Sequence, residues 1–294
     1  MKFALQAVGC GSTAKPDVLA EVARKAEALG FESVWIPEHL AVPLEMHAPY
    51  PYSPDGKFPG GAGVALHDPF VALAYVAACT TRIKLGTGVF VLPLRNAIAV
   101  AKAVASLDVL SDGRFLFGVG IGWLADEFEI VGMPFANRAA RTREAIRMLK
   151  TLWSEPAPSF EGRFHRFPPL GFGPKPVQQP HPPIILGGES PAALKRAAEV
   201  GDGWIGVAQT PQSVAPMIAA LREHRVRAGR RVEGFEITVG PPPGLGLDLS
   251  TVDAYAAAGV DRLFTFAPGF VPRGKLSSDL FPAMERFAAD VMRG

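Results

Sequence analysis

The sequence has 294 residues, of which 48% are hydrophobic, and its 30 basic and 28 acidic side chains leave a formal net charge of +2. This length suits one large α/β domain, and the near-neutral charge balance gives no electrostatic argument for binding nucleic acid or an anionic membrane. The two cysteines, Cys10 and Cys79, lack metal-type spacing, which argues against a disulfide framework and fits a reducing compartment. The longest apolar run, residues 69–79, is too short to span a bilayer, so we expect a cytoplasmic protein without a membrane partner.

Eight short apolar runs alternate with helical patterns along the chain. Most runs lack strict polar alternation, which is typical of strands buried on both faces of a helix-covered parallel sheet. The predicted strands cover residues 3–8, 33–37, 84–92, 115–119, 183–186, 203–207, 235–240 and 262–266. The predicted helices cover residues 17–29, 68–79, 96–110, 138–153, 190–200, 211–228, 251–258 and 279–292. Eight strand–helix units predict an α/β fold, a single-domain (β/α)8 TIM barrel over residues 1–294 with loop insertions.

Two segments are longer than the repeat requires. Residues 40–67 are rich in proline and glycine and contain Tyr50 and Tyr52, whereas residues 156–182 are rich in proline and contain a hairpin pattern around residues 160–167. Long loops in a compact domain are often lids or binding loops. Each segment is therefore interpreted either as a lid or as a mobile surface insertion.

Candidate chemistry lies at the carboxyl ends of the predicted strands, where barrel enzymes build their active sites. Glu38 and His39 follow the second strand. Histidine titrates near neutral pH, so this pair is a candidate for proton transfer. The alternative is a structural hydrogen bond that holds the following loop.

Glycines are concentrated at the next strand ends. Gly86, Thr87, Gly88 and Val89 lie in the third predicted strand, where glycine indicates a bulge, the close approach of a flat ligand, or tight packing inside the barrel. The fourth strand runs into FGVGIGW, whose glycine spacing and position exclude a dinucleotide-binding fingerprint. These glycines can still bring backbone amides toward a phosphate.

The fifth predicted strand ends in Gly187, Gly188, Glu189 and Ser190, directly before a helix. Free amides and the helix dipole favour an anion at such a point, and the Ser190 hydroxyl adds a donor. The alternative is an ordinary turn in which Ser190 is the helix N-cap. We favour phosphate binding.

Four segments together resemble a known family. They are SVWIPEHL, TTRIKLGTGVFVLPLRN, LDVLSDGRFLFGVGIGWLADEF and KPVQQPHPPIILGGESPAALKRAAEVGDGW. They resemble the luciferase-like monooxygenase superfamily over about residues 1–210, and most of all its coenzyme F420-dependent oxidoreductase branch.

The resemblance implies a barrel that holds a flavin or deazaflavin at the strand mouths. It places Glu38 and His39 beside the ring. It assigns Gly88 and Val89, after Thr87, to a strand bulge that is often a non-proline cis peptide. The cofactor phosphate is expected near the residues Ile121, Gly122, Gly187, Gly188, Glu189 and Ser190.

Two positions depart from the family pattern. Sugar-phosphate dehydrogenases of this branch carry a catalytic glutamate where this chain has Trp123, which argues against that activity. Luciferases carry an arginine where this chain has Ile121. This difference weakens the case for luciferase-type binding of the FMN phosphate.

Three functions follow as expectations. The first is an oxidoreductase that uses coenzyme F420 for hydride transfer to or from a small organic substrate, with His39 moving the coupled proton and Glu38 orienting it. The second is an FMN-dependent monooxygenase, and the third is a cofactor-free binding barrel.

No metal site and no nucleic-acid partner are expected. The apolar surface of the helix over residues 96–110 predicts a homodimer.

Overall fold

The computed structural model describes residues 1–53, 55–266 and 279–292. The strands within these ranges are β1 (Lys2–Gln6), β2 (Ser33–Ile36), β3 (Lys84–Thr87), β4 (Phe90–Val91), β5 (Phe115–Gly120), β6 (Phe160–Glu161), β7 (Arg166–Phe167), β8 (Ile184–Gly187), β9 (Gly203–Val207), β10 (Glu236–Gly240) and β11 (Arg262–Phe266). The helices are α1 (Pro16–Leu29), α2 (Pro69–Cys79), α3 (Ala97–Leu110), α4 (Ala125–Ile130), α5 (Arg138–Ser154), α6 (Pro191–Val200), α7 (Pro211–Arg227), α8 (Leu249–Ala258) and α9 (Leu280–Phe287). A π-helical turn, Ala288–Met292, follows α9.

The sheet closes on itself. Strands β1, β2, β3, β5, β8, β9, β10 and β11 pair in parallel in that order, and β11 pairs with β1. The predicted (β/α)8 barrel is therefore confirmed. The third predicted strand is divided into β3 and β4, and the short helix α4 was not predicted. The hairpin expected around residues 160–167 is formed by β6 and β7.

Both faces of the barrel strands are buried, which explains why the predicted strands lack alternation. Alternate residues point outward into the core shared with the helices, such as Leu5, Val34 and Leu85. The residues between them form a separate cluster inside the barrel, made of Ala4, Trp35, Leu116, Ile185, Ile205 and Phe264. This inner cluster fills the barrel, so any ligand site must lie above it at the strand ends.

A charged cluster closes the amino-terminal end of the barrel. Arg262 is fully buried and donates to both carboxylate oxygens of Glu32 at 2.9 and 3.0 Å, to Glu236 at 2.8 Å and to Thr238 at 3.0 Å. Each of the three nitrogens of this planar guanidinium thus has an acceptor, as a buried charge requires. The cluster joins β10 and β11 to the residue that precedes β2.

Local capping explains where the helices begin and end. The Asp68 carboxylate accepts from Phe70 N and Val71 N, and Pro69 occupies the first turn of α2. Gly30, with φ of +91°, ends α1 in the left-handed conformation. Both features were predicted from the sequence. No helix in the described ranges is long and apolar enough to cross a membrane.

The proline-rich segment over residues 156–182 packs against two of the outer helices. Glu144 on α5 accepts from the backbone of Arg163, Phe164 and His165, while Asp108 on α3 accepts from Val177 N at 2.8 Å. These contacts hold the segment against the outside of α3 and α5. These contacts favour the surface insertion over the lid for this segment.

Candidate active site

The floor of the barrel mouth is built from one layer of residues above the inner cluster. Alternation along the strands places Gln6 of β1 in this layer, with glycines on three other strands at Gly120, Gly187 and Gly240. Val89 and Val207 pack against the inner cluster from above. The result is a floor of valine side chains and glycine backbone, with one amide side chain, Gln6, at its edge.

The strand bulge expected at Gly88 and Val89 is present, and the peptide bond between them is cis. The Gln6 side chain donates from Nε2 to Gly88 O at 2.6 Å. Thr87 Oγ1 donates to Gly118 O at 2.7 Å and ties β3 to β5. A Cβ atom at Gly88 would lie 2.6 Å from Gln6 Oε1, so this glycine makes room for a protein side chain.

Packing within the protein explains several of the other glycines. A Cβ atom at Gly86 would overlap the Trp35 ring, and one at Gly118 would overlap Thr87 O. Gly122 and Gly188 have φ of +78° and +116°, which favour glycine whatever lies nearby. The interpretation that glycines open the backbone to a ligand is therefore wrong for Gly86 and Gly118. At Gly122 and Gly188 the backbone conformation already accounts for glycine.

His39 is held at the mouth by a residue that sequence reasoning missed. Its Nδ1 lies 2.9 Å from Glu127 Oε2, and the other oxygen of Glu127 accepts from Leu40 N at 2.5 Å and Ala41 N at 3.2 Å. Only 1% of Glu127 is exposed, so the carboxylate is fixed. Because Glu127 is an acceptor, Nδ1 carries the proton and Nε2 is the ring nitrogen left for chemistry.

Glu38 does not have the orienting role that we predicted for it. Its Oε2 accepts from Val91 N at 2.6 Å, and its Oε1 accepts from Arg95 Nη2. Both oxygens are thus engaged, one by β4 and the other by the residue before the N-cap of α3. Glu127 takes the place beside His39. Burial raises the pKa of Glu38 to about 7, although Arg95 and the Val91 amide oppose the rise. Glu38 thus has a structural role and holds β4 and Arg95 in place.

The loop over residues 40–67 extends across the mouth and carries a cluster of aromatic rings. Tyr50 packs with its ring centroid 5.4 Å from that of Trp123 and 5.4 Å from that of Phe58, and Phe58 lies 4.9 Å from the His39 ring. Tyr52 lies 5.6 Å from Tyr50 and beside the carboxyl group of Glu189, beyond β8. The loop therefore joins the mouths of β2, β5 and β8 and encloses His39.

The predicted phosphate-binding turn after β8 is only partly suited to an anion. The Ser190 hydroxyl accepts from Ala193 N as the N-cap of α6, which leaves its own proton free to donate. The Glu189 carboxylate accepts from Val207 N at 2.8 Å, and burial raises its pKa. The Glu189 side chain thus contacts β9 and the loop, and only the backbone of this turn and Ser190 are suited to an anion.

Arginines near this turn were not anticipated. Arg138, at the start of α5, donates from Nε to Gly122 O at 3.1 Å. Arg196 on α6 is only 4% exposed, and its Nε has no hydrogen-bond partner. Burial lowers the pKa of Arg196, and the charges of Arg143 and Arg138 lower it further. The signal available in the sequence was the group Arg138, Arg141 and Arg143 at the start of a predicted helix.

These residues fit a flat cofactor with an anionic tail. The floor offers an apolar surface, and Gln6 Oε1 at its edge is a buried polar atom without a partner among the described residues, as are the Nε atoms of Arg95, Arg141, Arg143 and Arg196. Buried polar atoms are normally satisfied, so the orphaned oxygen beside the floor indicates an absent partner. No group of three or more His, Cys, Asp and Glu side chains suited to a metal ion occurs in the part of the chain that the structure describes.

The model of one family, the luciferase-like monooxygenases, matches residues 1–288. The chain belongs to this family. The family resemblance predicted from the four sequence segments is thus confirmed.

Relatives in the family use two different cofactors. An uncharacterised Mycobacterium tuberculosis protein is 36% identical over 82% of this chain and 79% of its own. The F420-dependent glucose-6-phosphate dehydrogenase of Kineococcus radiotolerans is 35% identical over 76% of this chain and 63% of its own chain. The FMNH2-dependent dimethylsulfone monooxygenase of Pseudomonas putida is 31% identical over 60% of this chain and 50% of its own chain. The F420-dependent tetrahydromethanopterin reductase of Methanopyrus kandleri has the same fold, with a TM-score of 0.76 at 18% identity over 99% of this chain and 98% of its own.

Proposed function

We propose that this family member is an oxidoreductase that uses coenzyme F420 for hydride transfer to or from a small organic substrate. The observation that carries the proposal is the enclosed mouth, in which an apolar floor lies beneath a histidine fixed by Glu127. The F420-dependent relative, 35% identical over 76% of this chain, supports the choice of deazaflavin. Ile121, which stands where luciferases carry an arginine, also favours it over FMN.

When bound, the deazaflavin supplies the hydride chemistry at its central ring. The protein's own residues position and enclose it. Val89 and Val207 form the surface beneath the ring, while Ser190 and the arginines Arg138 and Arg196 offer donors and positive charge to the anionic tail.

His39 holds or accepts the coupled proton at Nε2, because Glu127 fixes the proton on Nδ1. The aromatic loop excludes water from this proton transfer, and its rings offer an apolar surface to the substrate. Trp123 stands where sugar-phosphate dehydrogenases of the branch carry a glutamate. The substrate is therefore a small organic molecule other than a sugar phosphate.

The proposal is tested by titrating the purified protein separately with F420 and with FMN and following the absorbance and fluorescence of each. We expect micromolar or tighter binding of F420 and weaker binding of FMN. Oxygen consumption in the presence of FMNH2 distinguishes the monooxygenase, because a carbon at position 5 of the deazaflavin does not form the required peroxide adduct. Binding of FMN alone with oxygen uptake would favour the monooxygenase, and binding of neither cofactor would favour a cofactor-free barrel.

A further inference from the structure

One polar atom at the floor of the mouth has no partner among the described residues. Gln6 is 8% exposed, and its Oε1 is buried without a hydrogen bond to any of them. A buried amide oxygen in this state is unfavourable relative to a bonded one, so its persistence needs an explanation.

The orientation of the Gln6 amide is fixed by its neighbour. The carbonyl of Gly88 can only accept, so the Gln6 nitrogen faces it at 2.6 Å, and the oxygen lies 2.6 Å from where a Cβ atom at Gly88 would stand. The opposite amide orientation would bring two acceptors together. The free acceptor is therefore a consequence of the bulge geometry and does not depend on an arbitrary choice of side-chain flip.

The position of this atom is also defined. Gln6 is the last residue of β1, one layer above the inner-cluster residue Ala4, and its main chain pairs with Trp35 and Phe266 on the adjacent strands. Val89, which forms part of the floor, directly follows the glycine that the amide contacts. The acceptor thus lies at the edge of the apolar floor, beside the bulge.

We propose that Gln6 is a cofactor-positioning residue whose Oε1 accepts a hydrogen bond from the imide N–H of the bound ring. This inference rests on the proposed function only in requiring that a ring cofactor binds. Flavins and deazaflavins both carry this N–H between two carbonyl groups, so the same contact serves either cofactor. The contact fixes which edge of the ring faces the bulge and therefore how the reactive centre lies relative to His39.

The test is a two-by-two comparison of protein and ligand. Wild type and Gln6→Met are each titrated with F420 and with its derivative methylated at the imide nitrogen, or with FMN and 3-methyl-FMN if wild type binds FMN. We expect methylation to weaken binding to wild type about 5- to 10-fold, and to change binding to Gln6→Met by less than about 2-fold. The absorption spectrum of the bound unmethylated cofactor should also differ between the two proteins.

Gln209→Met is the matched control at the same mouth. The Gln209 side chain donates to Val207 O, and its Oε1 already accepts from Ser213 Oγ, so it has no free acceptor. This variant should retain the full methylation penalty. The wild-type arm needs no variant, so it tests the inference even if Gln6→Met is poorly folded.

The outcomes separate the two proposals. If wild type binds neither cofactor, the proposed function fails and this inference fails with it. If wild type binds a cofactor and its methylated derivative equally well, or if Gln6→Met keeps the same methylation penalty, the cofactor site stands and the role of Gln6 is overturned.

Discussion

At the scale of single residues, the proposed proton transfer depends on the imidazole of His39. His39 is 11% exposed at the side chain, and its Nδ1 is bonded to a carboxylate that two backbone amides also hold. This arrangement fixes the tautomer and the ring plane before any ligand arrives. A preorganised group of this kind loses little freedom when a reaction uses it.

Replacing His39 by asparagine should lower kcat about 10²- to 10⁴-fold, because the proton donor or acceptor is lost. The Kd for the cofactor should change by less than about 3-fold, since the floor and the arginines remain. Single-turnover kinetics and cofactor titration measure the two effects separately. Loss of cofactor binding with normal turnover per bound cofactor would show that His39 binds and does not catalyse.

Glu127→Gln should lower kcat by about 10²-fold through misplacement of the imidazole. Its amide oxygen can still accept from Leu40 N and Ala41 N, so the loop start and the melting temperature should change little. Glu129→Gln, on the exposed side of the same helix, is the control and should be neutral. Unchanged turnover in Glu127→Gln would remove Glu127 from the proton-transfer machinery.

The sequence predicted His39 at the mouth but assigned it the wrong neighbour. Glu38 is adjacent along the chain, whereas Glu127 lies 88 residues away in a six-residue helix whose pattern was too short to recognise. Two successive residues after a strand point in different directions, so adjacency in sequence did not imply contact. Arg196 was missed because its burial depends on packing between α5 and α6, which no local pattern encodes.

At the scale of elements, the loop over residues 40–67 determines access to the mouth. Its rings contact Trp123 and His39, and Tyr52 lies beside Glu189.

The strands and most helices could be predicted, since hydrophobic spacing and caps such as Asp68 are local signals. The path of this loop could not be predicted, because proline and glycine indicate where regular structure ends and do not show where the chain goes next.

Tyr52→Phe should make the loop open more readily and increase the rate of cofactor dissociation about 5-fold, because the hydroxyl that faces Glu189 is lost. Tyr50→Phe keeps the ring packing and is the matched control. Stopped-flow dissociation and hydrogen exchange over residues 40–67 report the change. Equal rates in both variants would mean that the Tyr52 hydroxyl does not hold the loop.

At the scale of the whole molecule, the barrel is held closed at its opposite end by Arg262. Burial disfavours the charge on Glu32, but its hydrogen bonds to Arg262 outweigh this and lower the pKa of Glu32 to about 2. A carboxyl whose pKa is lower in the folded protein adds stability above its ordinary pKa. That contribution is lost as the pH falls through the range from the ordinary value, 4.5, to about 2.

Glu32→Gln should therefore lower the free energy of unfolding by about 2–3 kcal/mol at pH 7 and by less than half of that near pH 3. Urea denaturation at the two pH values measures the difference. Glu21→Gln, at an exposed position on α1, should have little effect at either pH. A destabilisation of Glu32→Gln that is independent of pH would contradict the ion-pair explanation.

We also propose that the protein is a homodimer joined through α2 and α3. Val71 on α2 and Ile98 on α3 are 70% and 41% exposed, and these two adjacent helices are strongly apolar. Light scattering after size exclusion should give twice the chain mass of 31.2 kDa, and Val71→Glu should shift the mass toward the monomer. Val226→Glu, on α7, should not. A monomeric wild type at micromolar concentration would contradict this assembly.

The central claim is that the mouth of this barrel holds a flat deazaflavin on the Val89 and Val207 floor. A crystal structure of the protein soaked with F420 tests it most directly. The ring should lie above these valines, beneath the loop over residues 40–67, with its anionic tail toward Ser190 and Arg196. A ring bound elsewhere, or a mouth that stays closed to F420 at saturating concentration, would contradict it.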